Sequence, residues 1–176
     1  TTTRTGNTLA GVAVPYGEFS HVLHDRPRAY RERFTRGAMN PNPETVMLYG
    51  HDPSGVPLGR VAAGSLRFQD TPAGLMFELD LPESRADLRE ALERGDLSGA
   101  VSVGFYVETD GDEWQNKTNP AVRTVRSAEL VELSIVQQGA YENAAGELKR
   151  RNAKHSTKPD RSSKKSLPTL SRTRAS

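Results

Sequence analysis

Gly99-Ala100-Val101-Ser102-Val103-Gly104-Phe105 reads as a β-strand that carries one hydroxyl within a row of very small side chains. Side chains of an extended chain alternate between faces, so Val101, Val103, Phe105 and Val107 point one way while Ala100, Ser102 and Gly104 point the other. The first face can build a core; the second leaves open space around Ser102. Small residues weaken a strand unless something must approach its backbone. Tight packing or a bend would account for such a row, and so would access to a nucleophilic serine.

Two further stretches bear on that choice. Thr45-Val46-Met47-Leu48-Tyr49-Gly50-His51-Asp52-Pro53 is an apolar run of strand length that ends in a histidine, a carboxylate and a chain-breaking proline. A histidine where the chain leaves a sheet is well placed as a general base, because its ordinary pKa lies near neutrality; a plain surface histidine is the alternative. His21, His24 and His155 lie in loop-like or tail-like sequence. In Leu130-Val131-Glu132-Leu133-Ser134-Ile135-Val136 a carboxylate interrupts an aliphatic strand. Val131, Leu133 and Ile135 share one face, and Leu130, Glu132, Ser134 and Val136 the other. An ionised carboxylate is costly to bury alone, so Glu132 either faces solvent or meets a donor, for which His51 is the natural candidate. Serine, histidine and carboxylate on three strands are the parts of an acyl-transfer site.

Most of the remaining elements also read as strands. Leu9 to Pro15 gives a first one, Tyr30 to Phe34 alternates charge with aromatics as an exposed strand does, and Leu58 to Phe68 suggests one long or bent strand broken at Gly59 and Gly64. Gly74 to Leu81 alternates cleanly, after hairpin chemistry in Gln69 to Gly74. One helix is signalled by Ser84 as cap, Asp87 in a capping box, an apolar stripe of Leu88, Ala91 and Leu92, and Gly95 at its end. Asp112 to Asn119 reads as a hairpin loop carrying Trp114, the only tryptophan, and Tyr16 to Met39 as a long loop with short strands. The expected fold is α+β, a mainly antiparallel barrel-like sheet with a few helices.

The 176 residues suffice for one domain with a core, and their net charge of +2 hides a division. Residues 149–176 hold ten Lys or Arg and one acid, Asp160, so they net +9 and the remainder nets −7. That stretch is rich in Ser, Thr and Pro and poor in aliphatics, which predicts a disordered basic tail behind a domain at 1–148. Such a tail can bind nucleic acid or dock on acidic protein surfaces. There is no cysteine, which excludes disulfides and thiolate metal sites and suits a cytosolic compartment. No apolar stretch approaches the roughly 20 residues that span a bilayer, so no membrane role is expected. The chain begins at Thr1 rather than Met, as a processed form or fragment does.

Leu48-Tyr49-Gly50-His51-Asp52, Pro57-Leu58-Gly59-Arg60, Gly74-Leu75-Met76-Phe77, Ser98 to Phe105 and Leu130 to Val136, in this order and spacing, resemble the tailed-phage prohead proteases over about residues 8 to 145. The resemblance implies a serine endopeptidase, distantly similar in fold to the herpesvirus assembly proteases. It would act inside the assembling prohead in the bacterial host cytoplasm, on the major capsid protein, the scaffold and itself. By position His51 matches the family's catalytic histidine, and Ser102 the serine before its glycine-phenylalanine ending, with Ser98 as the nearest competitor. The herpesvirus proteins use a second histidine as third member; here Glu132 is favoured, with Asp52 as the alternative. The family often has asparagine where this chain has Gly50, which touches the surroundings of the triad more than the triad itself.

No cofactor is implied, and His51-Asp52 has no second ligand cluster at metal spacing. Self-association during assembly and contact with the portal are further expectations; nucleic acid is not required. The competing reading is a non-enzymatic capsid-assembly or scaffold-binding module with a basic tail. A small-molecule esterase is more remote, because the Gly-x-Ser-x-Gly elbow is missing.

Overall fold

The computed structural model describes residues 7–25, 27–141 and 143–148. Among them the alternating segments form three four-stranded sheets. The first has β1 (Thr8–Pro15) paired with β7 (Gly74–Asp80), flanked by β6 (Leu66–Asp70) and β12 (Gly146–Leu148), all antiparallel. The second runs β2 (Leu23–Asp25), β3 (Arg28–Phe34), β10 (Ala121–Val125), β9 (Asp112–Gln115), with β3 and β10 parallel. The third runs β5 (Gly59–Arg60), β4 (Met39–Tyr49), β11 (Ala128–Ile135), β8 (Val101–Val107), with β4 and β11 parallel. The pairings are mainly antiparallel, as the sequence leads one to expect. The barrel expectation is corrected, because each sheet keeps two edge strands and none closes on itself. Instead of a few helices there is a single α-helix among the described residues, α1 (Ala86–Arg94), entered through one 3-10 turn at Glu83–Arg85. The basic tail, 149–176, lies outside the described residues.

One core joins the sheets. Leu9, Phe77 and Leu79 from the first, Phe34 and Val125 from the second, and Met47, Val101, Leu133 and Ile135 from the third are all fully buried or nearly so. Burying an aliphatic or aromatic side chain contributes about 1.5–3 kcal/mol, so this shared interior, rather than any single sheet, carries the domain.

Several local expectations change. Tyr30 to Phe34 is an interior strand, between β2 and β10, and not an exposed one. Its charge is accommodated because the buried Glu32 accepts hydrogen bonds from Arg123 (3.1 Å) and the Tyr141 hydroxyl (3.1 Å). Burial pushes the Glu32 carboxyl up from its ordinary range, against the pull of Arg123 and Tyr141. Leu58 to Phe68 is two short strands, β5 and β6, separated by a turn in which Gly64 has φ +70°. The capping box is absent: Arg85 occupies the N-cap and the Asp87 carboxylate accepts from the Arg85 guanidinium at 3.0 and 3.1 Å. Gly95 ends α1 as expected, left-handed at φ 80°. Trp114 sits in a strand, β9, tilted against Tyr30 at 5.2 Å and donating to Asp112 at 3.1 Å.

Candidate active site

The third sheet positions the candidate residues. Across it Leu48, Ser134 and Ser102 lie in one row and Val46, Glu132 and Gly104 in another two residues along. Alternation then puts Met47, Leu133, Ile135 and Val101 on the core face, and Ser102, Gly104, Glu132 and Ser134 on the opposite one. A bulge between Leu130 and Glu132 makes this sorting possible. Leu130 pairs with Phe105 and Glu132 with Gly104, so Val131 is the extra residue. Leu130 therefore joins the core at 0% exposure instead of sharing a face with Glu132, which simple alternation had assigned to it. Its carbonyl accepts from the buried Thr45 hydroxyl at 2.7 Å.

His51 reaches that face through a tight reversal at the end of β4. Gly50 and His51 are both left-handed, at φ 63° and 58°. The Gly50 N–H donates to the Ile135 carbonyl (2.9 Å) and the His51 N–H to the Ser134 hydroxyl (3.2 Å). A non-glycine residue is held this way at a cost of about 1–3 kcal/mol, and such positions concentrate at functional sites. The turn brings the imidazole Nδ1 into hydrogen-bond contact with Glu132 Oε1. The other carboxylate oxygen, Oε2, accepts from the Ser134 hydroxyl at 2.5 Å. Glu132 is largely covered, at 14% side-chain exposure, whereas His51 is open at 43%. Because a carboxylate accepts from Nδ1–H, the neutral ring keeps its basic lone pair on Nε2.

Gly104 is the floor beneath Glu132. A Cβ there would stand 2.7 Å from Glu132 Oε1 and 2.8 Å from its Cγ, so the space that the sequence leaves beside Ser102 is filled by the carboxylate side chain. Ser102 is partly exposed, and its hydroxyl is bonded to no other described residue, His51 included. A cavity of about 200 Å³ reaches Ser102 at the β8 edge, bounded by Val103, Phe105, Tyr30, Glu32 and Arg123 among others.

The structure thus joins His51 to Glu132 and sets both on the face that carries Ser102. It does not join His51 to Asp52. The Asp52 carboxylate is fully exposed and accepts from the Ser54 N–H (2.9 Å) and hydroxyl (2.6 Å), which hold it below the usual carboxylate range. Ser98 is exposed and precedes the strand, separated from it by the left-handed Gly99, and its hydroxyl accepts from the Ala100 N–H at 3.2 Å. His21 and His24 are exposed elsewhere, and His155 lies outside the described residues. Among the described residues no group of three or more His, Asp or Glu is arranged to hold a metal. The contacts of Ser134 escape a reading of the sequence. The only signal available is a hydroxyl two residues from a carboxylate on an otherwise aliphatic strand.

A sequence profile described as caudovirus prohead serine protease matches residues 1–159. No curated protein and no solved structure matches the chain. Since that profile spans most of the chain, and includes the strands that bear the serine, the histidine and the carboxylate, the chain belongs to the caudovirus prohead serine protease family and is a serine protease of capsid maturation.

Proposed function

We propose that Ser102 is the nucleophile, His51 the general base and Glu132 the residue that orients and charge-stabilises His51. The observation that carries this reading is the Nδ1 contact from His51 to Glu132, which leaves Nε2 for a substrate-side proton on the face where Ser102 stands. In the reaction the Ser102 hydroxyl attacks the scissile carbonyl while Nε2 takes its proton. The resulting imidazolium, held by the Glu132 carboxylate, returns that proton to the leaving amine as the C–N bond breaks. Water then attacks the acyl-enzyme, giving its proton to Nε2, and the ester bond breaks as Ser102 recovers its hydrogen. Beyond Val101, whose N–H is taken by the Ala144 carbonyl, β8 is an edge strand, so an extended chain can lie beside Ser102 with side chains directed into the adjoining cavity.

The substrates in this reading are the major capsid protein, the scaffold and the chain itself, cut inside the prohead in the host cytoplasm. The protease domain occupies 1–148, and the net +9 of residues 149–176 serves docking on acidic capsid or scaffold surfaces. Self-association during assembly and contact with the portal belong to the same proposal. So does a distant likeness in fold to the herpesvirus assembly proteases, with Glu132 standing where those have a second histidine.

The test is co-expression with the cognate capsid and scaffold proteins, followed by intact-mass measurement. Wild type is expected to trim both. Ser102→Ala should leave them full length, and Ser98→Ala should process them. Glu132→Gln should slow processing by about 10³–10⁴-fold and Asp52→Asn by no more than about threefold. Processing by Ser102→Ala at the wild-type rate would overturn the mechanism, and the reverse ranking of the acids would move the third role to Asp52.

A further inference from the structure

Ser134 carries a hydroxyl that touches both His51 and Glu132. It is fully buried on a strand whose other buried members are Ala128, Leu130, Leu133 and Ile135. A buried hydroxyl is unfavourable unless it is bonded, and this one is bonded twice. It donates to Glu132 Oε2 at 2.5 Å and accepts from the His51 N–H at 3.2 Å. Without exposure it cannot meet a substrate carbonyl, although it lies directly opposite Ser102 in the β8–β11 register.

We propose that Ser134 is a positioning residue, which sets the reactive alignment of His51 by fixing Glu132 and the His51 backbone through one hydroxyl. The inference rests on Glu132 being the third member of the triad, as proposed above. A glutamate has three side-chain torsions, and a single contact to an exposed imidazole leaves the carboxylate free to turn. The Ser134 hydrogen bond pins the second oxygen, and Gly104 beneath leaves the side chain just enough space. Ser134 Oγ also accepts from the His51 N–H and so anchors that left-handed backbone to β11, so that imidazole and carboxylate are referred to one atom. Misplacing a catalytic group by about 1 Å costs on the order of a hundredfold in rate. Ser134 is therefore expected to act on the chemical step and not on substrate affinity.

The experiment is a double-mutant cycle on scaffold cleavage, using the full chain in proheads assembled from the cognate capsid and scaffold proteins. The variants are Ser134→Ala, Glu132→Gln and the pair, with single-turnover rates and the KM for scaffold protein measured separately. Ser134→Ala should lower the rate by about tenfold to a hundredfold with KM unchanged, and in the Glu132→Gln background it should change the rate by less than about twofold. Ser134→Cys, which leaves no cavity but supplies a poor donor, carries the same comparison if the alanine variant loses cooperative unfolding. Equal losses in both backgrounds would make Ser134 a structural residue and overturn the inference, as would a wild-type rate in folded Ser134→Ala. A wild-type rate in Glu132→Gln would instead remove the triad assignment, and the inference with it.

Discussion

Gly104 shows most directly how the site depends on single atoms. Its missing Cβ is the space occupied by Glu132 Cγ and Oε1. Gly104 has no positive φ, so alanine meets no backbone penalty there, and any effect reports the carboxylate alone. Gly104→Ala is expected to push Glu132 off the His51 Nδ1 contact and to lower scaffold-cleavage rate by about a hundredfold, with the urea midpoint little changed. An alanine variant that cleaves at the wild-type rate would show that Glu132 can be displaced without loss. The three residues proposed for the chemistry stand out in the sequence because each breaks a pattern: Ser102 interrupts a row of small residues, His51 ends an apolar run, and Glu132 puts a charge in an aliphatic strand. Ser134 breaks the same strand more quietly, and its role appears only once the register puts it beside both His51 and Glu132. For Glu132 and Asp52 the sequence offered two acids near one histidine. Asp52, adjacent in the chain, is taken up by Ser54, while Glu132, eighty-one residues away, makes the contact.

Strands β1, β7, β8 and β11 could be read from alternation, and α1 from its apolar stripe and terminal glycine. The bulge in β11 could not, because one extra residue leaves no local mark yet exchanges the faces of everything beyond it. The parallel pairings of β3 with β10 and β4 with β11 join segments far apart in the chain, and local pattern carries no information about them. The start of β8 is fixed in a similar long-range way. Val101 N–H donates to the Ala144 carbonyl (3.1 Å) and Gly146 N–H to that of Gly99 (2.9 Å), which sets the segment ahead of β12 against the strand that bears Ser102. Gly99 has φ +78°, and a Cβ on it would stand 2.2 Å from the Gly146 oxygen. Gly95, at φ +80°, has nothing within 4 Å of the same position. Gly99→Ala should therefore cost about 2–4 kcal/mol of stability and Gly95→Ala about 1 kcal/mol, measured as urea midpoints at unchanged m-value. Equal small costs would mean that the 144–146 segment does not clamp β8.

At the scale of the molecule, an acidic body of net −7 precedes a basic stretch of net +9, with the proposed site confined to one face of one sheet. Composition bounded the class but did not select it; what selected it was five short blocks in fixed order, and the family profile over residues 1–159 spans them all. The division into three sheets was beyond the sequence, because sheet closure depends on how edges meet and not on any one strand's pattern. Whether Ser102 is an activated nucleophile can be read without knowing a cleavage site. A fluorophosphonate reacts when a serine oxygen, relieved of its proton by a neighbouring base, displaces fluoride from phosphorus. The full chain in assembled proheads would be treated with such a probe and the labelled residue located by peptide mass spectrometry. Label is expected on Ser102, lost in His51→Ala and strongly reduced in Glu132→Gln. Label on Ser98, or on Ser102 at an undiminished rate without His51, would contradict it.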